Sequence, residues 1–209
     1  MIEYDHEPVR GLPGDLPAGE EILWQGAPDW RVFLRSALKS RWIIGYFVAI
    51  ALVALANGSF GGALASVISG VLAIGLLAVY AVLVARTTVY TITNRRVVLR
   101  IGVALNKCIN LPLKLIGAAH LRPQGGEVGD IAMELDGRHG IGYAMIWPHA
   151  RPMKLRAAQP MMRSLPDVQN VADLLAKACA AVIANAPAQE IRSQAPANAF
   201  PGRLEEATA

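Results

Sequence analysis

The side chains able to do chemistry are few and scattered. Four histidines, His6, His120, His139 and His149, are the first candidates for metal ligation, which needs ligands paired at fixed spacing, as in HExxH or the CxxC of a zinc ribbon. None of the four has such a companion. Cys108 and Cys179 stand far apart and read as buried or inert thiols rather than a disulfide or redox pair. The glycine-rich run Gly125-Gly126-Glu127-Val128-Gly129-Asp130 suggests a phosphate cradle, but it lacks the Lys-Ser/Thr ending of a P-loop and reads as a hairpin turn. Serines occur without a GxSxG elbow, and Glu20-Glu21 precedes an apolar run on a surface segment rather than a cleft. These residues predict no enzyme, no metal and no cofactor. What remains is cationic: Arg86, Arg95, Arg96 and Arg100 form a cluster suited to an anionic lipid surface, each arginine worth about 1 kcal/mol there.

The element that would hold those arginines at a membrane is explicit. The chain has 209 residues and is 54% hydrophobic, too apolar for an ordinary soluble domain, and the excess lies in residues 42–85, which contain no Asp, Glu, Lys, Arg or His. Segments 42–60 and 63–85 have 19 and 23 residues, giving helices of roughly 28 and 34 Å against a hydrocarbon core of about 30 Å. Between them Asn57-Gly58-Ser59-Phe60-Gly61-Gly62 has a turn composition, so the expectation is a two-helix transmembrane hairpin. Arg31, Arg35, Lys39 and Arg41 precede it, the arginine cluster follows it, and the turn is uncharged. This asymmetry predicts a multi-pass membrane protein with both termini cytoplasmic. The first residues, rich in acids and prolines, do not read as a signal peptide. Trp42, Tyr46 and Tyr80 sit at interfacial depth. Gly62, Ser66 and Gly70, with the adjacent row Ala65, Ser69 and Ala73, form small-residue stripes that pack either the hairpin on itself or another membrane helix against it. No histidine lies between Trp42 and Ala85, so the hairpin offers no imidazole to a pigment metal. The net charge of +4 is attributed to membrane anchoring, and no nucleic-acid partner is expected.

Beyond Arg86 the apolar run gives way to alternation. Val89, Thr91 and Thr93 against Tyr90 and Ile92, the polar turn Asn94-Arg95 and then Val97-Val98-Leu99 predict a β-hairpin. Further strands are expected at Cys108–Leu111, Gly117–Leu121, Ile131–Leu135, Tyr143–Trp147 and Met153–Ala157. Ser164 reads as an N-cap with Pro166 and Asp167 in the first turn, opening a helix whose face is Val168, Val171, Leu175, Ala178 and Val182. The predicted organisation is α+β: a cytoplasmic segment 1–41, the hairpin 42–85, an antiparallel β domain closed by a C-terminal helix over 86–185, and a disordered tail 186–209 rich in Pro, Ala, Gln and Glu.

An antiparallel β domain closed by one helix behind a membrane hairpin resembles the bacterial pleckstrin-homology-like membrane proteins, with Tyr90-Thr91-Ile92-Thr93-Asn94-Arg95-Arg96 similar to their opening strand and turn. Gly11-Leu12-Pro13, Leu16-Pro17-Ala18-Gly19-Glu20 and Ile22 to Trp30, with Trp24, Gly26, Pro28 and Trp30 as its motif residues, resemble the PuhB family of photosynthetic complex assembly proteins of purple phototrophic bacteria. Pro148, Arg151-Pro152, Gln159-Pro160-Met161 and Leu165-Pro166-Asp167 are similar to that family's C-terminal half. The resemblance implies a factor of the bacterial inner (intracytoplasmic) membrane that helps build the photosynthetic reaction centre and its core light-harvesting complex. Its partners would be reaction-centre and core antenna polypeptides, together with a second copy of itself. The alternative is a general inner-membrane scaffold or lipid-binding module.

Overall fold

The computed structural model describes residues 9–137, 140–155 and 157–184. His6, His139 and the tail expected over 186–209 lie outside them.

The chain opens with strand β1 (Ile22–Gly26), a short helix α1 (Trp30–Ser36) and two long helices, α2 (Ser40–Ala56) and α3 (Phe60–Thr87). Asp29 caps α1 by accepting hydrogen bonds from the N–H groups of Arg31 and Val32 at 2.8 and 3.0 Å. α1 and α2 meet at a 57° bend where Lys39 adopts φ 56°, a left-handed conformation that interrupts the helix. α2 stops at Ala56, four residues before the end of the expected 42–60 helix, and Ser59 caps α3 by accepting the Gly62 N–H at 3.3 Å. The expected turn thus shrinks to Asn57–Ser59, because the Ser59 cap lets Phe60, Gly61 and Gly62 begin the second helix. α2 and α3 pack side by side. Among the described residues α3 is the one helix long and apolar enough to cross a membrane, with α1 and α2 counting as a second only if the bent pair is a single span.

Strands β2 (Val89–Thr93), β3 (Arg96–Ile101) and β4 (Lys107–Pro112) follow, then β5 (Ile116–Gly125), β6 (Val128–Leu135), helix α4 (Tyr143–Ile146), β7 (Met161–Leu165) and helix α5 (Val168–Ala184). They form two antiparallel sheets, β1-β2-β3-β4 and β5-β6-β7. The β2–β3 turn falls at Asn94-Arg95, as the alternation predicts. Tyr90, Ile92, Leu99, Ile131, Met133, Met162 and Leu165 fill the space between the sheets, and α5 covers it with Val168, Val171, Leu175 and Ala178. Burial of this apolar surface is the main stabilising term.

Three local expectations are corrected. Tyr143–Trp147 is no strand: after Asp136 the chain leaves the sheet, and without a neighbour to pair with, Tyr143–Ile146 closes as one helical turn. Met153–Ala157 contains no strand among its described residues. The strand lies later, at Met161–Leu165, where Met161 and Met162 pair with Ala132 and Ile131. Ser164 consequently belongs to β7 and is no N-cap. Its N–H donates to Asp130 Oδ1 at 2.8 Å, and α5 starts only at Val168.

β1 was not expected, and it changes the architecture. Trp24 pairs with Ile92 and Gly26 with Tyr90, so α1, α2 and α3 are inserted between two neighbouring strands of one sheet.

Candidate functional site

The first row of small residues on α3 faces α2. A Cβ added at Gly70 would lie 3.0 Å from Phe47 Cβ, and one at Gly62 would lie 3.4 Å from Ala54 Cβ. Between these positions the Ser66 hydroxyl donates to the Phe47 carbonyl at 3.0 Å. Gly62, Ser66 and Gly70 therefore pack the helix pair on itself. Ala65 and Ser69 in the adjacent row are exposed and Ala73 is half-buried. On another face of α3, which includes Gly70, the pair leaves an apolar groove of about 470 Å³ lined by Ile44, Phe47, Val48, Ala51, Leu52, Val67, Gly70, Val71 and Ile74. Trp42 at the start of α2 is 79% exposed.

Where the helices meet the sheets, Phe33 of α1 is buried with Ala81 and Val84 of α3, flanked by Leu34, Tyr80 and Val103. The His149 ring lies against Phe33 at 5.7 Å. Its Nδ1 is 2.7 Å from the Tyr90 hydroxyl, which accepts the Arg163 N–H at 3.2 Å. The direction of the Tyr90–His149 bond follows the tautomer: with the imidazole proton on Nε2 the Tyr90 hydroxyl donates to Nδ1, and with it on Nδ1 the hydroxyl oxygen accepts. Burial, reinforced by the positive charge of Arg163, pushes His149 down to about 3, so this imidazole is neutral at any ordinary pH. Burial likewise raises Tyr90 and lowers Arg163. Arg163 Nη2 donates to the Ala150 carbonyl at 2.9 Å, while Asp130 accepts from the Ser164 N–H and, at 2.6 Å, from Gln124 Nε2. This polar network joins α1, β2, β6 and β7 through the core. Sequence reading missed it, since its members are isolated residues drawn together only by strand pairing.

The other titratable groups lie apart. His120 meets Glu134 on the surface at 3.0 Å, a bond that holds the Glu134 carboxyl below its usual value. Cys108 is exposed, and partial burial raises the thiol of Cys179. Among the described residues no three His, Cys, Asp or Glu side chains converge as a metal site.

The expected arginine cluster is dispersed. Arg95 and Arg96 sit at the far end of β2, five residues or about 17 Å of strand from the end of α3. Arg95 Nη2 donates to the Ala18 carbonyl at 3.2 Å, and Arg96 Nε pairs at 2.8 Å with Glu20, which is only 7% exposed and also accepts from Thr93. Arg100 is buried, and only Arg86 stays at the helix end, its carbonyl accepting from Arg10 at 3.2 Å. Arg95 and Arg96 thus hold the N-terminal segment onto the sheet instead of forming a lipid-facing patch. The motif residues have structural tasks too. Trp24 packs half-buried on the core from β1, and a side chain at Gly26 would run into its indole. Pro28 is buried in the turn to α1, where the Asp29 N–H donates to the Ser164 carbonyl at 2.8 Å, and Trp30 opens α1 with the Arg31 guanidinium 5.3 Å over its ring.

The sequence model of the Bacterial PH domain family matches residues 42–178, from the first turn of α2 into α5. The chain belongs to the bacterial PH domain family. A Rhodobacter capsulatus protein described as an uncharacterized 23.7 kDa protein in the puhA 5′ region is 38% identical over 189 residues, covering 86% of this chain and 88% of that one. No solved structure matches. In this bacterial PH domain the matched region starts after β1 and α1, although β1 is hydrogen-bonded into the same sheet.

Proposed function

We propose that this chain is a membrane-bound assembly factor for the photosynthetic reaction centre and core light-harvesting complex, acting by protein–protein binding. The observation that carries the proposal is the likeness, over most of both chains, to the Rhodobacter capsulatus protein from the puhA 5′ region, a photosynthesis-related context. The N-terminal motif around Trp24 to Trp30 supports the same reading. In it, the bent α1–α2 unit and α3 cross the inner membrane as a hairpin, and the uncharged Asn57–Ser59 turn is the outer end. The pairing of β1 with β2 supports a common side for both ends of the hairpin, and the basic residues around it make that side cytoplasmic. The outward row of Ala65 and Ser69 and the apolar groove offer close approach to helices of reaction-centre or antenna polypeptides, or of a second copy. The β domain holds their extramembrane parts.

Deleting the gene is expected to lower the amount of reaction-centre and core antenna complex without moving the absorption maxima of what still forms, since the factor supplies no pigment ligand. Absorption spectra of membranes normalised to cell protein measure this. Equal amplitudes would remove the assembly role and favour a general bacterial PH scaffold, while a displaced band would make the chain a pigment-bearing constituent. A phosphatase fusion active beyond α5 and inactive at Ser59 would reverse the orientation.

A further inference from the structure

Building on the membrane reading above, we infer that the corner between α1 and α2 binds the phosphate group of an anionic membrane lipid. The corner encloses a cavity of about 110 Å³ lined by Val32, Arg35, Ser36, Arg41 and Gln124. Two guanidinium side chains line a space that no carboxylate enters. Arg35 makes one long contact, from Nε to the Arg31 carbonyl at 3.4 Å, and Arg41 forms no ion pair among the described residues. Two cations around one cavity repel each other unless an anion lies between them, and the planar guanidinium fork is the group that matches a phosphate. A third group points the same way. The Ser36 hydroxyl oxygen is buried without a hydrogen-bond partner, a group that proteins otherwise keep satisfied. Gln124, whose amide already donates to Asp130, closes the cavity from the β domain.

The backbone builds this arrangement. Lys39 in the left-handed region turns the chain by 57°, which brings Arg35 at the end of α1 and Arg41 in the first turn of α2 onto the same cavity. Such a conformation is costly for a lysine and persists where the surroundings demand it. The volume is well below the roughly 300–1,000 Å³ of pockets that enclose whole small molecules, so it suits a single phosphate whose remainder lies outside. The position supplies the source. Arg41 immediately precedes the exposed Trp42 at the start of α2, the depth at which aromatic side chains and lipid headgroups meet.

The test uses the full chain, reconstituted into nanodiscs of phosphatidylcholine with or without phosphatidylglycerol and then extracted into detergent. Phosphatidylglycerol retained per chain is counted by native mass spectrometry. The wild type is expected to retain it, R35Q/R41Q to lose it several-fold, S36A to lose part of it, and the equally charge-changing K107Q/K114Q to keep it. Circular dichroism checks that each variant is folded, and the single R41Q, at an exposed position, serves if the double variant is not. Equal retention by wild type and R41Q, or an equal loss in K107Q/K114Q, overturns the site. Binding of inorganic phosphate to lipid-free micelles without any retention of phosphatidylglycerol overturns the lipid source. Alkaline carbonate separates the levels: a wild type that leaves the membrane sinks the hairpin reading, whereas one that stays while R35Q/R41Q retains lipid sinks only this site.

Discussion

Acid should loosen this protein through His149. In the folded state the imbedded imidazole protonates only near pH 3, whereas in the unfolded chain it does so near 6.5. Between these values the unfolded state binds the extra proton, so stability is complete above about pH 6.5 and falls as the pH drops toward 3. The loss attributable to His149 is about 1–2 kcal/mol at pH 5.5 and about 2–3 kcal/mol at pH 4.5. For a chain of this size the first figure corresponds to a melting temperature lower by roughly 3–6 °C. Thermal unfolding of the full chain in detergent, followed by far-UV circular dichroism at pH 7.5, 5.5 and 4.5, measures it against His149→Phe. That variant strands the Tyr90 hydroxyl and starts less stable at every pH, but it has no proton to take up at this position. Its melting temperature should therefore fall less on acidification than that of the wild type. Parallel curves for the two proteins would refute the assignment of acid sensitivity to this residue.

Gly70→Leu drives a side chain into Phe47 and should cost about 1–3 kcal/mol, while Gly75→Leu, with nothing within 4 Å of the added Cβ, should leave thermal stability nearly unchanged. Glu20→Gln removes the ion pair to Arg96, whose side chain is 25% exposed and can be rehydrated; a loss of about 1 kcal/mol is expected, read as faster protease cleavage N-terminal to β1. Gly11→Ala combines φ 86° with a Cβ 2.6 Å from Val89 Cγ1, so it should dislodge the same segment and expose the same cleavage sites.

What could be read in advance was what short-range pattern encodes. The charge-free run marks α2 and α3, Asn94-Arg95 marks a turn between alternating strands, and Val168, Val171, Leu175 and Ala178 repeat at helical spacing and are buried together. The errors fall where distant pairing outweighs local pattern. Met161–Leu165 has no strict alternation, and becomes a strand because β6 presents Ile131 and Ala132 to it. Ile22–Gly26 is a short apolar run with no neighbouring strand in sequence, and its partner β2 comes only after three helices. The arginine cluster expected from the sequence is dispersed for a related reason. Proximity in sequence to the end of α3 does not keep the four arginines together, because a strand carries Arg95 and Arg96 away from that helix end and a buried Glu20 draws one of them in. Arg35 and Arg41 served only as orientation markers, since no periodicity reports that a left-handed lysine folds them around one cavity.

The interrupted sheet also orders events during synthesis. β1 leaves the ribosome first and has no neighbour to pair with until α1, α2 and α3 have been made and β2 emerges behind them. In a chain threaded into a bilayer, Trp24 can reach Ile92 only if the second helix has returned to the starting side. A hairpin stalled halfway would leave β2 across the lipid, with an open sheet edge on each face and the Glu20–Arg96 and Asn94 contacts to the N-terminal segment unmade. On the proposed hairpin topology the sheet closes only after both helices are inserted, and an unpaired β1 edge would mark the chains in which they are not.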